Sequence, residues 1–507
     1  MASSLGGSPA LAAIVTWDFD TATTGAQDGG GTWTAGAVTF WNGTSNVATS
    51  NSLATDIAQF GSGGTLAAGT TVSVGTQSIN GLIFGTTTTS GYTLSATTAG
   101  QILSIGGSGI VLNAGAQATT LGNTNLGITL GAAQSWTNDS TGLFTVAGAV
   151  TNGANLLTIG GAGNTTITGI IGGGAGGITK SGAGTLTLSG VNTYTGVSTL
   201  SSGILRATTS AQALGTGAAT LSLGGGELQL ANATGLTFGR NTTVTANTAI
   251  TSDVLAAGAG VTHTLGTLSI GAQTLTINRG ANATSGTGGI TFGAATLTGA
   301  ATFNTAANTL LTLSSTTALG ANTLTKTGPG SMTLTGVVSG SAAVGTTAIT
   351  VSDGVLTASG ANTFTGDIAV SGSGVFAMAG ATYTTTAPYG TVAGGTAYKQ
   401  LLLTNGGTFR LLSGTFNDNL PTTTNIAAGI IFNIGTGGAT FDVASGANLT
   451  IDDGSGTGTG VTSPGASQLQ GSGTITKTGL GIFQQDDSTA FAGAIIIAAG
   501  TFQPATA

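Results

Sequence analysis

Charge is what this sequence has least of. Eight Lys and Arg and 15 Asp and Glu are spread over 507 residues, 5% of the chain, against a usual ~25%. A nucleic-acid footprint needs clustered Lys and Arg. None cluster here, and the net charge is -7. Nucleic acid is therefore excluded as a partner, and an anionic membrane surface lacks the basic patch it would need. Cysteine is absent. That excludes a disulfide scaffold and any thiolate metal site, and it fits an exported chain. Proline occurs 6 times and glycine shows no every-third-residue period, which excludes collagen. No run approaches 18 apolar residues, so no membrane-spanning helix is expected. Helix faces are missing too: glutamate occurs once, at Glu227, and lysine only at Lys180, Lys326, Lys399 and Lys477.

What is present is glycine, 92 residues, with Ala, Thr and Ser around it. Hydrophobic residues reach 40%, too many for a disordered linker. The apolar residues alternate in short runs. In Thr185–Gly190, "TLTLSG", Leu186 and Leu188 share one face and Thr185 and Thr187 the other. "TLTINRG" and "SMTLTG" repeat the pattern, each run ending at Gly, Asn or Ser. That is β-strand punctuated by turns. Tight-hairpin dipeptides are few for so many strands: Asn-Gly at Asn42, Asn80, Asn152 and Asn405, Asp-Gly at Asp28, Asp353 and Asp453. An antiparallel meander would need more. Parallel coils need corners of Gly, Asn and small residues instead.

One unit recurs. Lys180 is followed by Tyr194, Gly196, Gly203 and Leu205, and Lys477 by Phe491, Gly493, Gly500 and Phe502 at the same offsets. A split copy starts at Lys326, with Phe364 and Gly366 displaced: Phe364 lies 38 residues after its lysine, not 14, an excess of 24. Inserting one whole coil keeps later side chains in register. A coil of ~24 residues predicts an all-β, right-handed parallel β-helix of about 20 coils, a single elongated rod. The expected layout is residues 1–16 as a leader remnant or flexible start, 17–177 as N-terminal coils, and 178–507 as coils carrying the repeat near 177–205, 323–376 and 474–503.

The stretch "GGITKSGAGTLTLSGVNTYTGVSTLSSGIL" closely resembles the autotransporter-associated β-strand repeat, also called the passenger-associated transport repeat, of bacterial surface and secreted proteins. The start is similar as well, with Trp17, Trp33 and Trp41, then "DIAQFG", "GLIF" and "GYTL". The resemblance implies a β-helix passenger that is extracellular or held at the outer cell surface. Such chains often end in a membrane-embedded barrel. Here the sequence reaches "TFQPATA" first, which implies either a piece of a longer chain or export by another route.

Chemistry is sought residue by residue. A phosphate loop needs Gly directly before Lys. Lys180, Lys326 and Lys477 follow Thr and Lys399 follows Tyr, so it is excluded. The repeat lysines fall where a strand meets a Gly-rich corner. They read as structural, with the stem of Lys180 directed like Ile178 and its ammonium reaching water or corner carbonyls. His263, on the face of Val261 and Leu265, has no nucleophile pattern beside it. Glu227 reads as outward beside Gln229. The glycine-rich run Gly454–Gly460 reads as a loop.

The carboxylate pairs Asp452–Asp453 and Asp486–Asp487 would converge only in loops. Asp18 and Asp20 read as one strand face, with Trp17 and Phe19 on the other. Calcium wants several oxygens gathered together, and none of these supports it. No catalytic residue, cofactor or metal is expected. Three functions compete. The first is a non-enzymatic structural or adhesive solenoid with cell-surface or glycan contacts. The second is a fibre subunit stacking end to end. The third is a glycan-degrading enzyme, which would need acids converging along one groove.

Overall fold

A computed structural model describes residues 12–504 except 23, 50, 53, 62–69, 218–219, 344, 380–398, 418–429, 452–468 and 486–490. Every regular element among the described residues is a strand. Among the described residues the strands stack as parallel coils, a β-solenoid of about 16 turns. Contacts divide the chain into two units, residues 1–232 with 238–241, and residues 233–237 with 242–507.

The first unit opens with an exception to parallel pairing. The strand Ala13–Trp17 pairs parallel with Asp56–Phe60 but antiparallel with Phe40–Trp41, which pairs antiparallel with Asn46–Val47. Here Trp17, Trp33, Phe40, Phe60 and Tyr92 are buried. Phe40 lies 5.3 Å from both indoles, and Phe60 lies 5.3 Å from Tyr92. The strand stops at Trp17, so the alternation expected through Asp20 ends there. Trp17 and Asp18 are buried while Phe19 is 53% exposed; Trp17 and Phe19 do not share a face.

Beyond this start the coils are parallel. One inward column runs Val72, Leu94, Leu121, Val146, Ile167, Leu188, Ala207 and Leu230, all buried. Burying each Val, Leu or Ile of the column contributes about 1.5–3 kcal/mol, and the period of two sends its neighbours outward.

The second unit stacks in the same way. One of its columns runs Phe303, Lys326, Val351, Val370, Leu403 and Ile434. Another runs Leu356, Phe376, Phe409, Phe441, Lys477 and Ile497. Its phenylalanines pack edge to face, Phe409 on Phe432 at 5.3 Å and Phe441 on Phe483 at 5.2 Å.

The coil count is lower than the uniform spacing predicted. Register makes the coil from Lys326 to Val351 25 residues, close to the expected value. The coil from Lys180 to Leu200 is 20, whereas Val370 to Leu403 takes 33 and Ile434 to Gly471 takes 37. Strand positions are fixed by stacking, so differences in length are accommodated at corners.

Candidate functional site

Lys180 ends the strand Ile178–Lys180 and occupies the inward column of Ile110, Trp136, Ile159, Leu200 and Leu223. A charged residue stands in an apolar stack. Its stem follows the core, and the ammonium turns into the corner that begins at Ser181. There Nζ donates to the carbonyls of Ser181 at 2.5 Å, Gly182 at 2.8 Å and Ser202 at 3.3 Å. Ammonium has three protons, and each meets a carbonyl. Two acceptors belong to the lysine's own coil and one to the next.

The same arrangement recurs at the other repeat lysines. Lys326 Nζ donates to Thr327 O at 2.9 Å, Gly328 O at 2.6 Å and Asp353 O at 3.0 Å. Lys477 Nζ donates to Thr478 O at 2.6 Å, Gly479 O at 2.9 Å and Ala499 O at 3.2 Å. Lys326 and Lys477 lie in columns of two different sheets of the second unit. The corner is therefore a local device, not tied to one face.

Glycine completes each corner. Gly203, Gly354 and Gly500 directly follow the carbonyl on the next coil and have φ of 69°, 65° and 76°. A Cβ there would stand 2.7 Å from Lys180 Nζ, 2.8 Å from Lys326 Nζ and 2.8 Å from Lys477 Nζ. An L side chain is disfavoured by the backbone and has no room. The sequence pairs Lys326 with landmarks one coil further on, at Phe364 and Gly366. The glycine that meets Lys326 is Gly354, and "DGVL" against "SGIL" and "AGTF" is the signal that could have found it.

The remaining landmarks hold one coil against the previous one. A Cβ on Gly196 would meet Ala175 O at 2.5 Å, and one on Gly366 would meet Thr346 O at 2.8 Å. Gly493 is similarly pressed against Gly473 O and the Phe491 ring. Tyr194 is buried, with its hydroxyl 2.9 Å from Ser198 Oγ, which donates to Leu214 O. Burial pushes the Tyr194 phenol up to about 12. Leu205 is buried on Leu186. Phe491 bridges to Gly471 and is half-buried, and Phe502 lies 5.4 Å from Phe483.

Two asparagines belong to this set, and the landmark spacing does not point to them. Asn192 Oδ1 accepts from Ile171 N at 2.8 Å, and its Nδ2 donates to Ala213 O at 2.7 Å. Asn362 Oδ1 accepts from Val338 N at 2.7 Å. Both stand two residues before the aromatic, in "NTYTG" and "NTFTG".

Burial pushes the ammonium groups of Lys180 and Lys326 down to about 8, and Asp353 opposes this at Lys326. Lys477 is lowered by burial, against the pull of Asp442. A lysine with a lowered pKa is a candidate nucleophile. These are 0–2% exposed and saturated by carbonyls, so none is open to a substrate.

Lys399 differs. Its Nζ sits 3.4 Å from the centroid of Phe364 and donates to Phe364 O at 3.1 Å. Burial lowers it well below the usual lysine range, with Asp367 opposing. The Asp367 carboxyl is raised by burial, against a hydrogen bond from Gln400 N and the attraction of Lys399.

Other candidates fall into structural settings. His263 is buried; Nδ1 accepts from Leu236 N at 3.2 Å, so Nε2 carries the proton toward Asp253 O at 3.3 Å. Burial lowers its pKa. Arg240 is buried and donates to Thr216 O at 2.8 Å, Gly217 O at 3.4 Å and Gly196 O at 3.3 Å, linking three coils. Glu227 and Gln229 face outward between buried Leu228 and Leu230. No group of three or more His, Cys, Asp or Glu that could hold a metal occurs among the described residues. Asp452–Asp453, Asp486–Asp487 and Gly454–Gly460 lie outside the described residues.

Residues 178–207, which hold Lys180, Asn192, Tyr194 and Gly203, match the family described as passenger-associated-transport-repeat. No curated protein and no solved structure matches the chain. A repeat of this family within a β-solenoid fits the passenger part of an autotransporter.

Proposed function

We propose that this chain is a non-enzymatic passenger, exported to the bacterial cell surface or beyond, whose coils serve as a structural and adhesive scaffold. One observation carries the reading. The lysine corner within the matched repeat recurs with the same carbonyl geometry at Lys326 and Lys477. These three lysines thus hold coils together instead of lining a cleft. A scarcely charged outer face of Thr, Ser and Asn suits weak, multivalent contact with neighbouring cells or glycans. The test is location and contact in the native host. Antibody labelling and protease shaving of intact cells should find the chain outside, and beads coated with it should retain cells. Cytoplasmic retention sinks the passenger reading, and bare beads performing equally well sinks the adhesive one.

A further inference from the structure

On the outside of the first unit, one position repeats without variation. Register pairs Thr71 with Thr93, Thr93 with Thr120, Thr120 with Thr145, Thr145 with Thr166 and Thr166 with Thr187. Six successive coils carry threonine at one outward site. The coils themselves differ in length: Thr93 to Thr120 spans 27 residues and Thr166 to Thr187 spans 21. The corners absorb the difference and the column stays in line until Arg206 ends it.

Each of these threonines precedes a buried residue of the inward column: Val72, Leu94, Leu121, Val146, Ile167 or Leu188. That fixes the backbone beneath the column, and a β-branched side chain is stiff at χ1. Thr71 is exposed and the other five are half-exposed. Among the described residues, no protein hydrogen bond engages the hydroxyls of Thr93, Thr120, Thr145, Thr166 or Thr187. The buried hydroxyls at strand starts behave differently: Thr119 Oγ1 donates to Gln117 O at 3.0 Å, and Thr309 Oγ1 to Ala306 O at 2.6 Å.

We propose that this threonine column is an ice-binding face. Parallel strands repeat every ~4.7–4.9 Å, so hydroxyl and methyl groups recur at a spacing close to an oxygen repeat in the ice lattice. Waters bridging hydroxyls that are already fixed lose little further entropy on joining a crystal. No charge in the column imposes a competing hydration shell. A crystalline glycan is the less suitable occupant, because sugar rings dock on aromatic faces and the column has none. A second outward column, Ser135, Thr158, Thr179, Thr199 and Ser222, lies on another sheet and mixes two side chains. It provides the control. The proposal rests on register and does not depend on the passenger reading.

The test uses the purified full chain in ice-recrystallisation and thermal-hysteresis assays, with circular dichroism to confirm folding. The wild type should restrain ice growth and partition into growing ice. The double variant Thr145→Lys/Thr166→Lys should lose both activities, while Thr179→Lys/Thr199→Lys keeps them. The proposal is overturned if the wild type acts no better than an inert protein, if the folded Thr145→Lys/Thr166→Lys variant equals the wild type, if the Thr179→Lys/Thr199→Lys variant alone loses activity, or if the chain binds crystalline cellulose or chitin with no effect on ice.

Discussion

Lys180 and Gly203 belong to successive coils and share one small volume: the Cβ that Gly203 lacks would stand 2.7 Å from Lys180 Nζ. Gly203→Ala therefore meets two obstacles. The backbone at φ 69° disfavours an L residue, and the new methyl displaces the ammonium from its carbonyls. The expected cost is about 2–4 kcal/mol, read as a lower Tm in thermal unfolding. Gly446, at φ 77° with open space around its Cβ site, is the control. Gly446→Ala should cost only the backbone term, about 1–2 kcal/mol. Equal losses for the two variants would remove the corner from the explanation.

Replacing the lysine itself separates its stem from its charge. Lys180→Met keeps most of the apolar stem in the column of Ile159 and Leu200 but removes three charge-assisted hydrogen bonds. The carbonyls sit at a corner where water can reach them, so the expected loss is about 1–2 kcal/mol. Lys180→Ala also opens a cavity and should lose about 2–4 kcal/mol. The same order should hold at Lys326 and Lys477, measured by urea unfolding of each variant. A methionine variant at wild-type stability would show that the carbonyls do not need the ammonium.

The lysine corners also set a pH dependence of known sign. Lys326 is held near 8 when folded, below the ordinary ~10.4 of an unfolded lysine. Between these values the unfolded chain binds more protons, so this group adds stability as pH rises, by at most about 1.4 kcal/mol per pH unit. Tyr194 works the other way, since its raised pKa means stability lost above pH 10, but it is common to wild type and variant. The Tm difference between wild type and Lys326→Met should therefore widen in favour of the wild type from pH 8 to 10. A difference that stays flat contradicts a lowered folded pKa.

Much of this fold is legible because strand stacking is written in alternation. Leu186 and Leu188 could be assigned inward from "TLTLSG" alone, and the excess between Lys326 and Phe364 marks a real coil. What joins the coils is less legible. Lys326 meets Gly354 through register across a 25-residue coil, so the fixed offset that links Lys180 to Gly203 and Lys477 to Gly500 fails there, and only the short pattern around the glycine remains. Coil number is hidden for a related reason: corners accept insertions, as between Val370 and Leu403, without disturbing either inward residue. Asn192 is hidden because asparagine also belongs in ordinary turns. Only its two buried partners, Ile171 N and Ala213 O, distinguish it.

Lys399 is the lysine whose loss should be tolerated. It lacks the carbonyl triad of the repeat corners; its partners are the ring and the carbonyl of Phe364. Burying a cation with so few partners costs more solvation than a single hydrogen bond and a ring face restore. Methionine matches the stem and packs well against an aromatic ring. Lys399→Met should thus be neutral or stabilising, by up to about 1–2 kcal/mol, whereas Lys180→Met destabilises. Asp367 stays satisfied through Gln400 N, and its raised carboxyl needs no cation to remain buried. Denaturant midpoints for the two methionine variants, measured side by side, decide the point. If Lys399→Met loses as much as Lys180→Met, the Phe364 contact is worth as much as three carbonyl bonds.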